Sequence, residues 1–408
     1  MKKIVYILSN FPHLTETFIA REIFEIYDNG QDVQVLSLRP KKYAHMAALK
    51  KKDLAVFYAS SSLFMLVQAL FSNLGKGKSI LFSFETLADA FAILFKGKLK
   101  GFFKFLTVVL LAETVVYQFL KSRQKEEQLH LHTHFLFSAS YITYRLHKLL
   151  GCSFSITLHT KYITFLQPYQ VNKVLKAAKF INCISSELKG YIQSFGVDDL
   201  SNVHLIRNGI NVGSLEFKPQ YQFNTPLRIL GIGSLLDKKG FDDLVRCCAE
   251  LKKRDRAFHC NIIGEGPERP SLEALIAELG IADHVKLLGS KPFAEVKEFL
   301  RIADVLLMPS KVPKKSDPDG LPTVIIEAMT SGTPVVSTRF AGIPDIVIND
   351  QTGGLVDPSD YVGLAEAVIK MMDNEPLKNQ MIDRGRQLVE EEYNLKKNII
   401  RLQGLMNT

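Results

Sequence analysis

The densest run of groups able to do chemistry is Asp319-Gly320-Leu321-Pro322-Thr323-Val324-Ile325-Ile326-Glu327-Ala328-Met329, followed by Gly332-Thr333-Pro334. Pro322 suits the first position of a helix, because the N–H that proline lacks has no partner there. The remaining N–H groups of such a helix start point outward and attract anions such as phosphate. Gly320 lets a ligand approach the backbone closely. Asp319 and Glu327 are acceptors eight residues apart, able to hold sugar hydroxyls around that helix start. Taken alone, each acid reads as a helix cap or a solvated side chain; the whole string is harder to dismiss.

Other groups carry weaker signals. His130, His132 and His134 alternate along one apolar run and so share a face. No cysteine or acid cluster stands near them in the sequence, so zinc is not expected and no metal site is assigned. Asp317-Pro318-Asp319 has the form of a metal-binding Asp-x-Asp, but its place after Lys314 and Lys315, inside the longer string, makes that a coincidence. Gly231-Ile232-Gly233 follows an apolar run without the third glycine of a dinucleotide fingerprint. The cysteines (152, 183, 247, 248 and 260) form no regular framework and read as small, reduced hydrophobes.

The elements that must position these groups follow an alternation. Ile4–Leu8, 33–38, 129–133, 154–158, 180–184 and 203–206 read as buried strands, separated by helical stretches near 137–149, 168–178 and 186–195. The rhythm restarts with strands at 227–232, 258–263, 284–288, 304–308 and 334–338, and helices at 240–253, 268–279, 293–302, 323–331 and 360–373. Strand and helix in alternation predict α/β domains, each a parallel sheet wound on both faces. The expected division is an N-terminal Rossmann-like domain over 1–210, a linker over 211–226, and a second Rossmann-like domain over 227–375. A helical stretch over 376–408 is expected to cross back to the first domain. Ligands of such sheets sit outside the carboxyl ends of the strands, so two facing sheets would make a cleft. A block over 44–127 breaks the rhythm. It reads as helices with Phe- and Leu-rich faces, punctuated by Lys76, Lys78, Lys96, Lys98, Lys100 and Lys104. That pattern suits either an interfacial helix with its ammonium groups at lipid headgroups or an ordinary helical insertion on the first sheet.

Composition narrows the class. The chain has 408 residues, 47% apolar and 23% charged, which excludes a mostly disordered protein. Net charge is +9, but residues 1–215 hold +12 and residues 216–408 hold −3. An anionic membrane surface or an anionic substrate fits the basic half, as does a merely solvated surface; without a nucleic-acid motif, nucleic acid is not an expected partner. Leu54–Gly75 is interrupted by serines, Gln68 and Asn73, and Phe102–Leu120 carries Lys104 and Glu113, so neither reads as a membrane span. Ile4–Leu8 is too short for a secretion-signal core.

With these elements in place, essentially the whole chain resembles the family 4 glycosyltransferases of the retaining GT-B type. That family carries two glutamates eight positions apart, matched here by Asp319 and Glu327, with Asp replacing the first. Ser9-Asn10-Phe11-Pro12 with Thr15-Glu16-Thr17-Phe18 resembles the opening of its exopolysaccharide, colanic-acid-like branch. His132-Thr133-His134-Phe135 is similar to its His-x-His-Phe strand end, and Thr157-Leu158-His159 to the Thr-x-His before the active-site loop. Arg207-Asn208-Gly209-Ile210, Lys238-Lys239-Gly240 and Gly264-Glu265-Gly266-Pro267 resemble further family turns.

The resemblance implies roles. Lys239 would bind the donor diphosphate, stabilising it as it leaves, beside the helix start near Pro322. Glu327 would hold the ribose hydroxyls, Asp319 the transferred sugar, and His159 would sit across the cleft near that sugar. Ser234, Gly264, Gly266, Gly320 and Leu321 complete the expected donor side; Phe11, Thr15, Glu16 and His134 join His159 on the acceptor side. Most relatives have an arginine where Ser234 stands, so one of two diphosphate cations is missing, a contact worth roughly 1.5–3 kcal/mol. Asp319 is one methylene short, and Tyr162 stands where many relatives have an aspartate.

The implied activity is transfer of a hexose-like sugar, with retention, from a nucleotide-diphosphate sugar to a glycan or polyprenyl-diphosphate-linked glycan in surface polysaccharide synthesis. It implies no metal and no cofactor beyond that co-substrate, and a cytoplasmic protein peripheral on the inner membrane face. Two alternatives stay open: a nucleotide-sugar epimerase of the same architecture, and a noncatalytic subunit that binds nucleotide sugar or a partner transferase.

Overall fold

The computed structural model describes residues 2–12, 17–39, 53–81, 83–95, 99–123, 127–161, 167–219, 221–313 and 321–408. Thr15, Glu16, Tyr162, Asp319 and Gly320 lie outside them. The chain divides into two compact units: unit 1 is Met1–Ile206 with Ile399–Thr408, and unit 2 is Arg207–Asn398.

Unit 1 runs β1 (Lys3–Leu8), α1 (Thr17–Asp28), β2 (Val33–Ser37), β3 (Ala55–Tyr58), α2 (Leu63–Gly75), α3 (Phe84–Phe95), α4 (Leu99–Ser122), β4 (Leu129–His134), α5 (Ser138–Leu150), β5 (Ser153–Leu158), α6 (Pro168–Ala177), β6 (Phe180–Cys183), α7 (Ser186–Gln193) and β7 (Val203–Leu205). Its strands form one parallel sheet in the order β3-β2-β1-β4-β5-β6-β7. The register sets Ile4 between Val33 on one side and His130 on the other. Ile4 through Leu8 are buried because helices cover both faces, which is why the run is apolar throughout rather than alternating.

Unit 2 runs β8 (Leu227–Ile232), α8 (Phe241–Lys253), β9 (Phe258–Ile263), α9 (Arg269–Glu278), β10 (Val285–Leu287), α10 (Phe293–Ile302), β11 (Val305–Met308), α11 (Thr323–Ser331), β12 (Val335–Thr338), β13 (Gly354–Val356), α12 (Tyr361–Asp373) and α13 (Glu375–Glu392); α14 (Leu395–Asn407) then runs on into unit 1. Its six strands, again parallel, follow the order β10-β9-β8-β11-β12-β13. In each sheet the order reverses beside the first strand, between β1 and β4 and between β8 and β11. That reversal opens a crevice at the carboxyl ends.

Three boundaries differ from the sequence expectation. Residues 211–226 are not a free linker: Val212 and Leu215 belong to the unit 2 core, and the Lys218 N–H donates to the Ser331 carbonyl at 2.9 Å. The stretch from 376 is two helices, and α13 stays with unit 2, burying Met381 and Val389 there. Residues 399–408 join unit 1, where Asn407 Nδ2 and Gln403 Nε2 donate to Gln31 Oε1 at 2.9 and 3.1 Å. Finally, the block over 44–127 is not wholly helical, because β3 pairs with β2 at the sheet edge. Short strands such as β3 and β13 leave little periodic signal.

The helices of that block have two faces. Inward, Ile93, Phe105 and Val109 join the unit 1 core. Glu113 is fully buried at the centre, accepting from Asn73 Nδ2 at 2.7 Å, Ser79 Oγ at 2.8 Å and the Leu81 N–H at 2.7 Å. Those bonds satisfy the carboxylate and tie α2 to α4. Outward, Leu63, Phe64, Phe71, Phe84, Phe95 and Phe103 lie exposed, Phe84 and Phe95 at 88% and 86%. Among the described residues no helix is long and apolar enough to cross a membrane.

Candidate functional site

In unit 2 the predicted donor residues Ser234, Lys239, Gly264 and Gly266 lie in the turns that follow β8 and β9. Strand β8 ends at Ile232, and the chain passes through Gly233 and the exposed Ser234 into a short 3-10 turn, Asp237–Lys239. The Lys239 side chain folds back, its Cε and Cδ lying 3.5 and 3.6 Å from where a Gly233 side chain would begin. Gly240 follows at φ +67° and caps α8; a side chain there would start 1.9 Å from the Pro309 carbonyl oxygen just after β11. The Lys311 N–H donates to the Lys238 carbonyl at 3.0 Å, pinning the lysine turn to the loop after β11. The lysine turn thus packs on the first residues after β11, beside the point where the strand order reverses.

Gly264 and Gly266 belong to the neighbouring turn after β9. A side chain on Gly264 would meet the Gly233 carbonyl oxygen at 1.8 Å, and the Leu235 N–H donates to the Glu265 carbonyl at 2.9 Å. Their glycine identity is demanded by the packing of one loop on another, and that packing shapes the crevice floor.

Helix α11 begins at Thr323, with Pro322 one step earlier than expected, at the N-cap. Pro322 cannot cap with a side-chain hydrogen bond, so the first N–H groups of α11 stay directed at whatever lies beyond its end. Leu321 packs against the unit 2 core and holds the entry to the helix, and Glu327, half-buried, stands one turn further along. Ser234 brings no charge. The nearby cation Lys311 is committed to Asp242 at 2.7 Å and Asp243 at 2.8 Å; burial opposes its charge, but the two carboxylates outweigh this and hold its pKa above the ordinary lysine value.

In unit 1 the described acceptor candidates Phe11, His134 and His159 lie at the carboxyl ends of β1, β4 and β5. Phe11 is buried just beyond β1, its N–H donating to Ser37 Oγ at 3.2 Å. His134 closes β4 and His159 follows β5; His134 Nδ1 and His159 Nε2 are 2.8 Å apart. Phe18 and Phe135 wall in the His159 ring, with centroids 4.5 and 4.9 Å away. Phe135 holds a left-handed φ of 64°, a conformation costing about 1–3 kcal/mol that points to a constrained site. Burial, with His134 adding to it, keeps the His159 pKa well below the ordinary histidine value, so the ring is neutral near pH 7.

One functional neighbour escaped the sequence reading. Glu22 of α1 reaches under the sheet end, accepting from Tyr6 Oη at 2.8 Å and standing 3.3 Å from His134 Nε2. This corrects the expectation that no acid lies near the histidines. The signal was available: Phe18 and Glu22 are four residues apart, hence on one helix face. Glu22, His132 and His134 offer three ligand atoms within 4.8 Å of one another. Hydrogen bonds already account for His132, whose ring nitrogens meet Ser155 Oγ at 2.7 Å and Thr157 Oγ1 at 3.1 Å.

Both sheet ends can now be set beside known proteins. Residues 214–388 match the family described as glycosyl transferases, group 1. The match lies within unit 2. A protein of Escherichia coli named for a glycosyltransferase role in colanic acid biosynthesis is 35% identical over 213 residues, 52% of either chain. The amylovoran biosynthesis glycosyltransferase of Erwinia amylovora is 33% identical over 192 residues, 47% of either chain. The match thus spans about half the length of these curated relatives. Across the whole chain, the crystal structure of Anabaena HepE in complex with UDP superimposes with a TM-score of 0.72 at 15% identity, covering 100% of both chains. A glycosyltransferase from Rickettsia africae gives 0.70 at 16% identity, covering 100% of this chain and 98% of its own. The fold is therefore that of the GT-B glycosyltransferases, and the similarity to group 1 lies within unit 2.

Proposed function

We propose that the protein is a retaining glycosyltransferase. It moves a sugar from a nucleotide-diphosphate donor to a glycan or lipid-linked glycan acceptor in surface polysaccharide synthesis. The observation that carries this reading is the lysine turn, with Lys239, packed on the residues just after β11 at the point where the unit 2 strand order reverses, in the connection that leads to the start of α11, which has no side-chain cap. An ammonium group and free N–H groups there complement a diphosphate leaving group. The family match over the same residues and the colanic acid and amylovoran relatives support it. Glu327 binds the ribose hydroxyls and Asp319 the transferred sugar. In unit 1, Phe11, His134 and His159 form the acceptor side, with Thr15 and Glu16 of the same motif; His159 offers a ring nitrogen to a sugar hydroxyl. The anomeric carbon–phosphate oxygen bond breaks, the acceptor oxygen bonds to that carbon on the same face, and the acceptor proton passes to the departing diphosphate. Neither a metal ion nor a further cofactor takes part in this scheme. No observation favours the epimerase or the noncatalytic subunit over transfer.

The outward face of α2, α3 and α4 rests, in this reading, on the inner, anionic face of the cytoplasmic membrane. Exposed Phe64, Phe71, Phe84 and Phe95 enter the lipid while Lys76, Lys100 and Lys104 meet the headgroups. The charge of +12 on residues 1–215 is complementary to such a surface. The test of the reading is thermal-shift screening against UDP-, GDP- and ADP-sugars, followed by sugar release. A shift with one nucleotide class, weakened in Lys239→Ala, is the expected result. No shift with any of them overturns the function.

A further inference from the structure

We infer that Glu22 of α1 with His132 and His134 of β4 is a buried site for a divalent transition-metal ion of the zinc class, which fastens α1 to the sheet and stays out of sugar transfer. This goes beyond the proposed function and does not rest on it.

The residue types and their spacing come first. His132 and His134 are two apart on one strand, so both rings stand on the same face, with centroids 4.9 Å apart. Glu22 Oε1 lies 3.3 Å from His134 Nε2 and 3.8 Å from His132 Nε2. The three residues offer ligand atoms that all lie within 4.8 Å of one another. Around an ion with bonds of about 2.0–2.1 Å, tetrahedral ligands stand roughly 3.3–3.4 Å apart. The carboxylate is thus at ligand spacing from His134 and close to it from His132.

The state of His134 Nε2 is the second observation. This buried nitrogen has no hydrogen-bond partner among the described residues, although the carboxylate oxygen is 3.3 Å away. At that distance an oxygen in line with the ring N–H direction would accept a hydrogen bond, so Oε1 stands to one side of it. Two ligands of one ion are placed in that way, because each lone pair points at the ion between them and not at the other ligand. A buried polar atom without a partner is costly, and an ion would satisfy this one.

The outer contacts fit as well. Metal-bound histidines hold their other ring nitrogen against a hydrogen-bonding partner. His132 Nδ1 meets Ser155 Oγ at 2.7 Å, and His134 Nδ1 meets His159 Nε2 at 2.8 Å. One present bond is given up, that of His132 Nε2 with Thr157 Oγ1 at 3.1 Å, the longer of the two on that ring; Asn182 Nδ2 remains 3.5 Å from the same hydroxyl. Tyr6 Oη, 2.8 Å from Glu22 Oε1, is the candidate for a fourth ligand. Two imidazoles and a carboxylate suit zinc and its neighbours, whereas magnesium and calcium take oxygen ligands. Both histidine side chains are fully buried and Glu22 keeps 11% of its side chain exposed, so the ion enters past the carboxylate and sits out of a substrate's reach. Phe18, one turn before Glu22, packs its ring 4.5 Å from that of His159, so an ion tying Glu22 to β4 also steadies that wall of the acceptor end.

The full chain, stripped with a chelator, is titrated with cobalt(II), whose visible spectrum reports four-coordinate sites. A single equivalent of cobalt bound in this way, displaced by zinc, is the expected result. In the unchanged chain labelled with 15N-histidine, zinc should shift the Nε2 signals of His132 and His134. Glu22→Gln keeps the shape of the carboxylate but removes its charge. It should weaken zinc by about 100-fold or more, since even the outer contacts of such sites are worth roughly 10- to 100-fold. No stoichiometric binding, shifts confined to other histidines such as His204 and His259, or undiminished affinity in Glu22→Gln would each overturn the site. If Glu22→Gln does not fold, the histidine signals of the unchanged chain decide. Nucleotide binding is read separately: zinc bound without any nucleotide response removes the proposed function and leaves the site, and a nucleotide response without zinc does the reverse.

Discussion

The two sheet ends solve different problems with different materials. In unit 1 the carboxyl ends of β1, β4 and β5 carry side chains: the buried His134 and His159, the half-buried rings of Phe18 and Phe135 against His159, and Glu22 of α1 beside His134. In unit 2 the equivalent ends carry mainly backbone: Gly233, Gly240, Gly264 and the start of α11, with Lys239 as the one predicted donor cation. Rings without charge suit hydroxyls. Exposed N–H groups beside an ammonium suit phosphate. In the proposed function the end lined by side chains takes the acceptor and the end lined by main chain takes the diphosphate.

The largest effect that sharpens this contrast is on stability. Gly264→Ala sets a methyl group 1.8 Å from the Gly233 carbonyl, at a φ of +147°, and should destabilise unit 2 by more than about 3 kcal/mol. Denaturant unfolding followed by probes in each unit checks it; an unchanged unit 2 transition would mean that backbone packing does not build this end.

Acid should act first on unit 1. Burial, with Lys179 and Lys2 adding to it, pushes His130 down to about 3 from an ordinary 6.5, and His132 and His159 shift the same way. The unfolded chain therefore takes up these protons first as the pH falls. For His130 the associated stability is complete above pH 6.5 and is lost between 6.5 and about 3, at roughly 1.4 kcal/mol per pH unit, and His132 and His159 act in the same direction. Urea midpoints of unit 1 measured from pH 7 to 5 should fall more steeply than those of unit 2; equal slopes would break the contrast.

Ligand affinity gives a smaller effect. Lys239→Ala should weaken binding of the responsive nucleotide about 10- to 100-fold by calorimetry, the loss of one charge-assisted contact. Asp319→Ala should spare the nucleotide and slow transfer. If Lys239→Ala leaves the affinity unchanged, the anion site lies elsewhere.

The smallest expected change is on the outer face of unit 1. Phe64→Ser with Phe95→Ser should reduce flotation with anionic liposomes roughly tenfold or more, while stability moves by about 0.5 kcal/mol or less, because these side chains are already in water. Flotation as strong as that of the unchanged protein would remove the membrane from the account.

Much of this was legible along the chain, and the failures have physical causes. The strand at 227–232 and the helices at 293–302 and 323–331 coincide with the structure because each is a long apolar period bounded by breakers. Strands β3 and β13, of four and three residues, were missed although β7 and β10, of three residues each, were not, so length alone did not decide which short strands showed in the sequence. Residues 211–226 looked like a linker because their apolar contacts, Val212 and Leu215, are isolated in sequence and meet their partners only in the folded core. The Phe-rich block showed its apolar content, yet the period alone did not separate inward Phe105 from outward Phe95.

The amino-acid order by itself determined the alternation of strands and helices, the split of charge between the halves, and the motif residues at strand ends, since each depends on neighbours within a turn or two. Only the tertiary structure decided that Glu22 meets His134 and that Lys311 is spent on Asp242 and Asp243. It also decided that the glycines of the donor end serve one another's loops before they serve a ligand. Those facts depend on distances between segments far apart in the chain, which are set by how the helices pack on each sheet.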